Sequence, residues 1–155
     1  MTYRVKGLDA SLFSHLYGLS DEHLAARGVR RLVADAKPGF PDRIEVRDAE
    51  PGERLLLLNY VHQPADTAYR ASHAVFILEG ALEPLDQVGS IPEPLRVRPI
   101  SLRAFNRSGE MIDAELADGR DLEPLIERFL GNREAEYLHA HYAKRGCYAA
   151  RIERA

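Results

Sequence analysis

The stretch that decides how this chain folds is Tyr137-Leu-His-Ala-His-Tyr-Ala-Lys-Arg-Gly-Cys-Tyr-Ala-Ala-Arg-Ile152. Two alternating runs flank a Lys-Arg-Gly triplet, the pattern of a β-hairpin whose glycine takes the left-handed position of a three-residue loop. With Lys144-Arg145-Gly146 as that loop, residue 143 faces 147, 141 faces 149 and 139 faces 151. Side chains alternate across a strand, so this register predicts one apolar face of Leu138, Ala140, Tyr142, Tyr148, Ala150 and Ile152. The opposite face gathers Tyr137, His139, His141, Cys147, Ala149 and Arg151. One face is fit for a core. The other carries reactive groups.

The same loop grammar recurs upstream. Ile100 to Asn106 and Glu110 to Leu116 read as a second hairpin closed by Arg107-Ser108-Gly109. Its register predicts Ile100, Leu102, Ala104, Ile112, Ala114 and Leu116 on one face, with Arg103 opposite Asp113 as a cross-strand ion pair. Between the hairpins, Asp121 to Gly131 reads as a helix. Asp121 is its cap, Pro124 sits in its first turn, and Leu122, Leu125, Ile126, Phe129 and Leu130 form its apolar stripe.

Further out, Leu55-Leu-Leu-Leu-Asn-Tyr-Val61 suits a strand buried on both faces and central in its sheet. Ala74 to Leu78 is another strand, and residues 3–8 and 29–36 are shorter ones. Ile44 and Val46 alternate with charged neighbours. Ser20 to Gly28 predicts a short serine-capped helix, and residues 8–19 predict one or two helical turns. Prolines make 37–41 a rigid loop and leave 81–99 irregular, with one helical turn near 92–97. The fold class is α+β, a mainly antiparallel sheet built from hairpins with two to three packed helices. A chain of 155 residues fits one domain, residues 1–155, able to bury a core without disulfides or a metal.

Composition narrows the function classes. A net charge of −3, with basic residues scattered among acids, excludes a bulk electrostatic affinity for nucleic acid or an anionic membrane. No apolar stretch approaches bilayer length, and Met1 to Leu8 lacks the apolar centre of a secretory signal, so the expected location is cytoplasmic. One cysteine makes no internal disulfide, in keeping with a reducing compartment. Nothing in the composition indicates a particular cofactor or an oligomeric state.

Three stretches resemble a bacterial domain-of-unknown-function family of small proteins. They are Ala36-Lys-Pro-Gly-Phe-Pro41, then Leu55 to Pro64 running on to Tyr69-Arg-Ala-Ser-His-Ala-Val-Phe76, and Tyr137 to Arg151, the most specific of the three. The resemblance spans nearly the whole chain and implies a compact protein, with no activity or catalytic residue to carry over. It also implies a cysteine after the Pro-Gly-aromatic-Pro turn, where this chain has Asp42, which argues against chemistry that needs two cysteines.

Three chemistries fit the polar groups. His139 and His141, two apart on a strand, project from one face about 6.7 Å apart and can supply two ligands of a metal. His62, His73 or Cys147 would be the third. Alternatively Cys147, diagonal to His141 in this register, forms a catalytic thiol–histidine pair. The third reading is a small, anionic ligand held by Asn59, His62, Tyr69, Arg70, His73, Lys144, Arg145 and Arg151, with His139, His141 and Arg151 at the centre. This places the functional surface where the 59–73 segment meets the final hairpin. A plain interaction module without chemistry is the remaining class.

Overall fold

The structure is a computed structural model and describes residues 2–155. Among these residues the chain runs through nine strands and three α-helices. The first half contributes β1 (Tyr3–Lys6), α1 (Asp21–Ala25), β2 (Arg30–Val33), β3 (Arg54–Gln63) and β4 (Ala71–Leu78). Then come β5 (Asp86–Val88), α2 (Glu93–Arg96), β6 (Pro99–Phe105) and β7 (Met111–Asp118). The chain ends with α3 (Leu122–Gly131), β8 (Tyr137–Tyr142) and β9 (Cys147–Arg154). The strands form two antiparallel sheets, one ordered β5-β1-β9-β8-β6-β7 and one ordered β2-β3-β4. This is the expected α+β class, with the sheet divided in two and β5 arising where an irregular segment was expected.

Each sheet has its own core. The five stripe residues of α3 pack on the six-stranded sheet against Ile100, Leu102, Leu138, Ala140 and Ile152. Burying a side chain of that size contributes about 1.5–3 kcal/mol, so this face alone can anchor the helix. Pro124 lies in its first turn as predicted, but Asp121 makes no capping bond. A short 3-10 turn, Gly119–Asp121, precedes the helix, and Asp118 takes the free N–H of Arg120 there.

The three-stranded sheet buries Leu55, Leu56, Leu58, Val75 and Ile77 beneath the N-terminal turns that carry Leu8, Phe13, Leu16 and Leu24. The leucine run is indeed the central strand of its sheet, β3. Ser20 caps α1 by accepting the His23 N–H.

Residues 42–48 form no ladder strand despite their alternation. The Asp42 carboxylate accepts the N–H groups of Ile44, Glu45 and Leu78 and so competes with strand pairing. Val46 takes a left-handed φ of 52° and stays buried, held there by its side chain in the core.

Both hairpins depart from the expected register through a β-bulge, which adds one residue to one strand and reverses its parity beyond that point. In the β6–β7 pair, Phe105 faces Met111 as expected, but then Ala104 faces Asp113 and Arg103 faces Ala114. The Arg103–Asp113 ion pair is therefore not formed, and Leu116 is exposed. In the β8–β9 pair, 138–152, 139–151 and 140–150 face each other as expected. The ladder then shifts, His141 faces Tyr148, and Tyr142 faces Cys147. The loop has four residues, 143–146, closed by Gly146 N–H to Tyr142 C=O, and Ala149 is the extra residue. Tyr148 thus joins the histidine face, and Cys147 leaves it for the Tyr142 face.

Candidate functional site

The second face of the six-stranded sheet turns toward the β3–β4 hairpin, and four histidines meet in the gap. His139 and His141 come from β8, the strand between β6 and β9. His62 lies at the irregularity in β3 between Val61 and Gln63, and His73 lies on β4 opposite Tyr60. His62 Nε2 and His73 Nδ1 are 2.7 Å apart, one ring donating to the other. One ring nitrogen each from His62, His73 and His141 falls within 4.8 Å of the other two. Tyr148 lies parallel to His62 at 5.2 Å between centroids, and its ring stands edge-on to His139 at 5.0 Å. Phe105 and Tyr137 close the far side around His139.

Two features define the chemistry of this cluster. His141 Nδ1 lies 2.9 Å from the Gly146 carbonyl, which can only accept, so Nδ1 carries the proton and Nε2 presents a bare lone pair. That Nε2 is buried with no hydrogen-bond partner, as are Nδ1 of His62 and Nδ1 of His139.

The second feature is charge. Burial, with like charge from His73 and Arg103, lowers His62 to about 4. Burial lowers His141 to about 3 despite the opposing Gly146 bond, and lowers His139 to about 2. His73 is lowered as well, first by burial and then by Arg103. All four imidazoles are neutral near pH 7. Among the described residues no carboxylate hydrogen-bonds to any of them.

A cleft of about 840 Å³ opens beside the cluster, and His73 belongs to both. Its walls include Phe40, Phe76 and Tyr142, and its charged lining groups are Arg43, Arg98, Lys144 and Arg145, with no acid among them. Arg98 is neutralised by Asp48 at 2.7 Å. Arg43 is 1% exposed and donates to the Tyr148 and Pro41 carbonyls and to Cys147 Sγ at 3.2 Å.

The residues singled out from sequence sort into three groups. His62, His73, His139 and His141 come together, which joins the 59–73 segment to the final hairpin. Lys144 and Arg145 line the adjoining cleft with His73. The rest lie apart. Asn59 and Tyr69 are exposed, Arg70 donates to the Pro64 carbonyl, and Arg151 pairs with Glu153 and covers the Tyr137 ring. Cys147 faces the cleft and Arg43, so the bulge carries it away from the pairing with His141 that the simple hairpin register predicts.

Tyr148, Arg103, Arg43 and Tyr142 were not singled out for function. Arg43, which follows Pro41-Asp42 in a proline-rich loop, could have been flagged as a cation next to a rigid turn. For Tyr148 no signal short of the bulge exists.

Comparison with known proteins adds a family. A family model described as a protein of unknown function, DUF1203, matches residues 39–154. The chain belongs to the DUF1203 family. The matched range contains all four clustered histidines, the cleft lining except Pro38, and both hairpins of the six-stranded sheet. No curated protein and no solved structure matches this DUF1203 chain. Among its described residues, no helix is long and apolar enough to cross a membrane.

Proposed function

We propose that this protein binds a divalent transition-metal ion through His62, His73 and His141, and exposes it through His73 to a small ligand in the cleft. The observation that carries this reading is His141. Its Gly146 bond fixes the tautomer, and the lone pair left on Nε2 is buried beside nitrogens of two further histidines. A ring N–H held by a backbone carbonyl is the usual way a ligating imidazole is oriented. An anion could not satisfy that lone pair, whereas a metal ion would.

The size of the cluster fits with a modest closure. Zinc–nitrogen bonds of about 2.0–2.1 Å in tetrahedral geometry put ligand atoms roughly 3.4 Å apart. His62 and His73 would separate slightly from their present contact, and the widest spacing would contract by roughly 1.4 Å. Neutral imidazoles need lose no net charge at pH 7, and the proton shared between His62 and His73 would move to the donor ring's other nitrogen as both ligate. An all-nitrogen set with an open position suits zinc, iron(II), nickel or copper rather than magnesium or calcium. Arg103 opposes a bare dication there, which favours an ion that carries an anionic ligand.

The test is metal content and affinity. Untagged wild type is expected to hold one zinc per chain by elemental analysis after exposure to zinc and desalting. His141→Ala, folded by circular dichroism, is expected to bind at least about 100-fold more weakly, beyond the range seen for loss of an outer-shell partner. Equal zinc affinity in the two proteins would end the reading.

A further inference from the structure

The cleft carries a second assignment, and its evidence is independent of the histidines. Arg43 is a buried guanidinium with no carboxylate partner among the described residues. A buried charge of that kind is costly unless an opposite charge is nearby. Tyr142 lies beside it, 5% exposed, and its hydroxyl is buried without a hydrogen-bond partner. The Arg43 guanidinium lies 5.1 Å from the centroid of the Tyr142 ring. Both residues line the same cleft, so an unpartnered donor and a cation lie side by side in its wall.

Lys144 and Arg145 are exposed, line the cleft as well, and have no acidic partner among the described residues. The remaining walls are mostly apolar, with His73, Arg98 and Cys147 among them. Phe40 and Phe76 pack against each other at 5.3 Å, with Pro38, Pro41 and Pro99 around them. A volume of about 840 Å³ is that of a metabolite-sized pocket, with few polar groups on a mainly apolar lining.

We propose that this cleft is a binding site for a small organic acid with a flat, apolar body. Its carboxylate accepts from the Tyr142 hydroxyl and from free N–H groups of Arg43, while the body lies along Phe40, Phe76 and the prolines. Lys144 and Arg145 draw the anion in from solvent and screen its charge. An orphaned donor and an acid-free cationic lining are both accounted for by one anionic group. A neutral ligand accounts for neither.

The experiment is calorimetric titration of metal-stripped protein, in chelator, with benzoate and with its neutral counterpart benzamide. Saturable benzoate binding with at least tenfold weaker benzamide binding is expected, as is the magnitude of a lost charge-assisted hydrogen bond. Tyr142→Phe removes only an unpartnered oxygen, so it keeps the fold, and it is expected to weaken benzoate about tenfold. Lys144→Ala/Arg145→Ala is expected to lower the association rate and its salt dependence. Absence of saturable benzoate binding at millimolar concentration overturns the proposal. So does equal binding of benzamide, or unchanged benzoate binding by Tyr142→Phe. Because the titration is run without metal and on no histidine variant, its failure and the failure of the metal reading are separate results.

Discussion

Asp42 and the histidine cluster are both polar and both buried, yet they are opposites. Asp42 is fully enclosed, and its two oxygens accept three backbone N–H groups from the 44–45 turn and from β4. His62, His139 and His141 fill a comparable interior position beside the half-buried His73, with three ring nitrogens left unpartnered. Satisfied polar burial is architecture, since every group it removes from water is paid back within the fold. Unsatisfied polar burial has no such return, and the natural account of it is a missing partner. On the metal reading proposed above, the two regions separate what holds the molecule together from what it would hold.

The contrast predicts how each breaks. Asp42→Ala strands three N–H groups, two of them buried, and each buried one costs about 1–3 kcal/mol unpaired. The expected loss in urea denaturation is about 3 kcal/mol or more, with zinc affinity following only as far as the fold survives. A loss below about 1 kcal/mol would show that water replaces the carboxylate and that the architecture lies elsewhere.

Acid sharpens the contrast, because the two regions respond with opposite signs. The histidines are held well below their usual value by burial, His62 to about 4 and His141 to about 3. Below about pH 6.5 the unfolded chain takes up protons that the folded chain refuses. Their contribution is therefore intact above that pH and is lost as it falls toward 4, by at most about 1.4 kcal/mol per pH unit for each histidine. Asp42 is raised by burial against its three N–H bonds. Just above pH 4 the folded state binds a proton there that the unfolded state does not, so this group partly offsets the loss as the pH falls. Urea midpoints of metal-stripped protein between pH 7.5 and 4.5 should fall with pH, and more shallowly in His139→Leu. Superimposable slopes would mean that the histidines are not neutral in the fold.

The smallest effect is the most discriminating. His139→Leu at pH 7.5 exchanges a buried imidazole with an orphaned nitrogen for an apolar side chain of similar size. Such a change is expected to be neutral or to stabilise the metal-free protein by up to about 1 kcal/mol. A destabilisation comparable to Asp42→Ala would mean that this ring has a partner after all and belongs with the architecture.

Much of this was legible in the residues, in ways that depend on range. The strands other than β5, the α3 stripe and the Ser20 cap follow from local pattern, which needs only neighbours a few positions away. The pairing of His139 with Arg151 was also legible, because a ladder far from the turn is fixed by which face is apolar. The turn-proximal pairs were not. Tyr148, Ala149 and Ala150 can all be buried, so alternation does not reveal which of them is the extra residue.

The alternation at Ile44 and Val46 makes no strand for a different reason, since the Asp42 side chain takes the N–H groups of Ile44 and Glu45 from any ladder. That His62 and His73 would meet His141 rests on how two separate sheets pack, and no local pattern encodes that. Arg43 and Tyr142 acquire their meaning from the same packing.

The bulge at Ala149 has one more consequence, which concerns the hardness of the donor set. If Ala149 stood in the ladder opposite His141, the sulfur of Cys147 would lie on the histidine face, and the cluster would offer a soft, polarisable donor with an affinity for copper(I) and a route to oxidation. By stepping out of the ladder, a single methyl-bearing residue keeps that face all-nitrogen, borderline in character and resistant to oxidation. The thiol is left beside an arginine in the neighbouring cleft. One inserted position in a strand thus sets the redox temperament of the whole cluster.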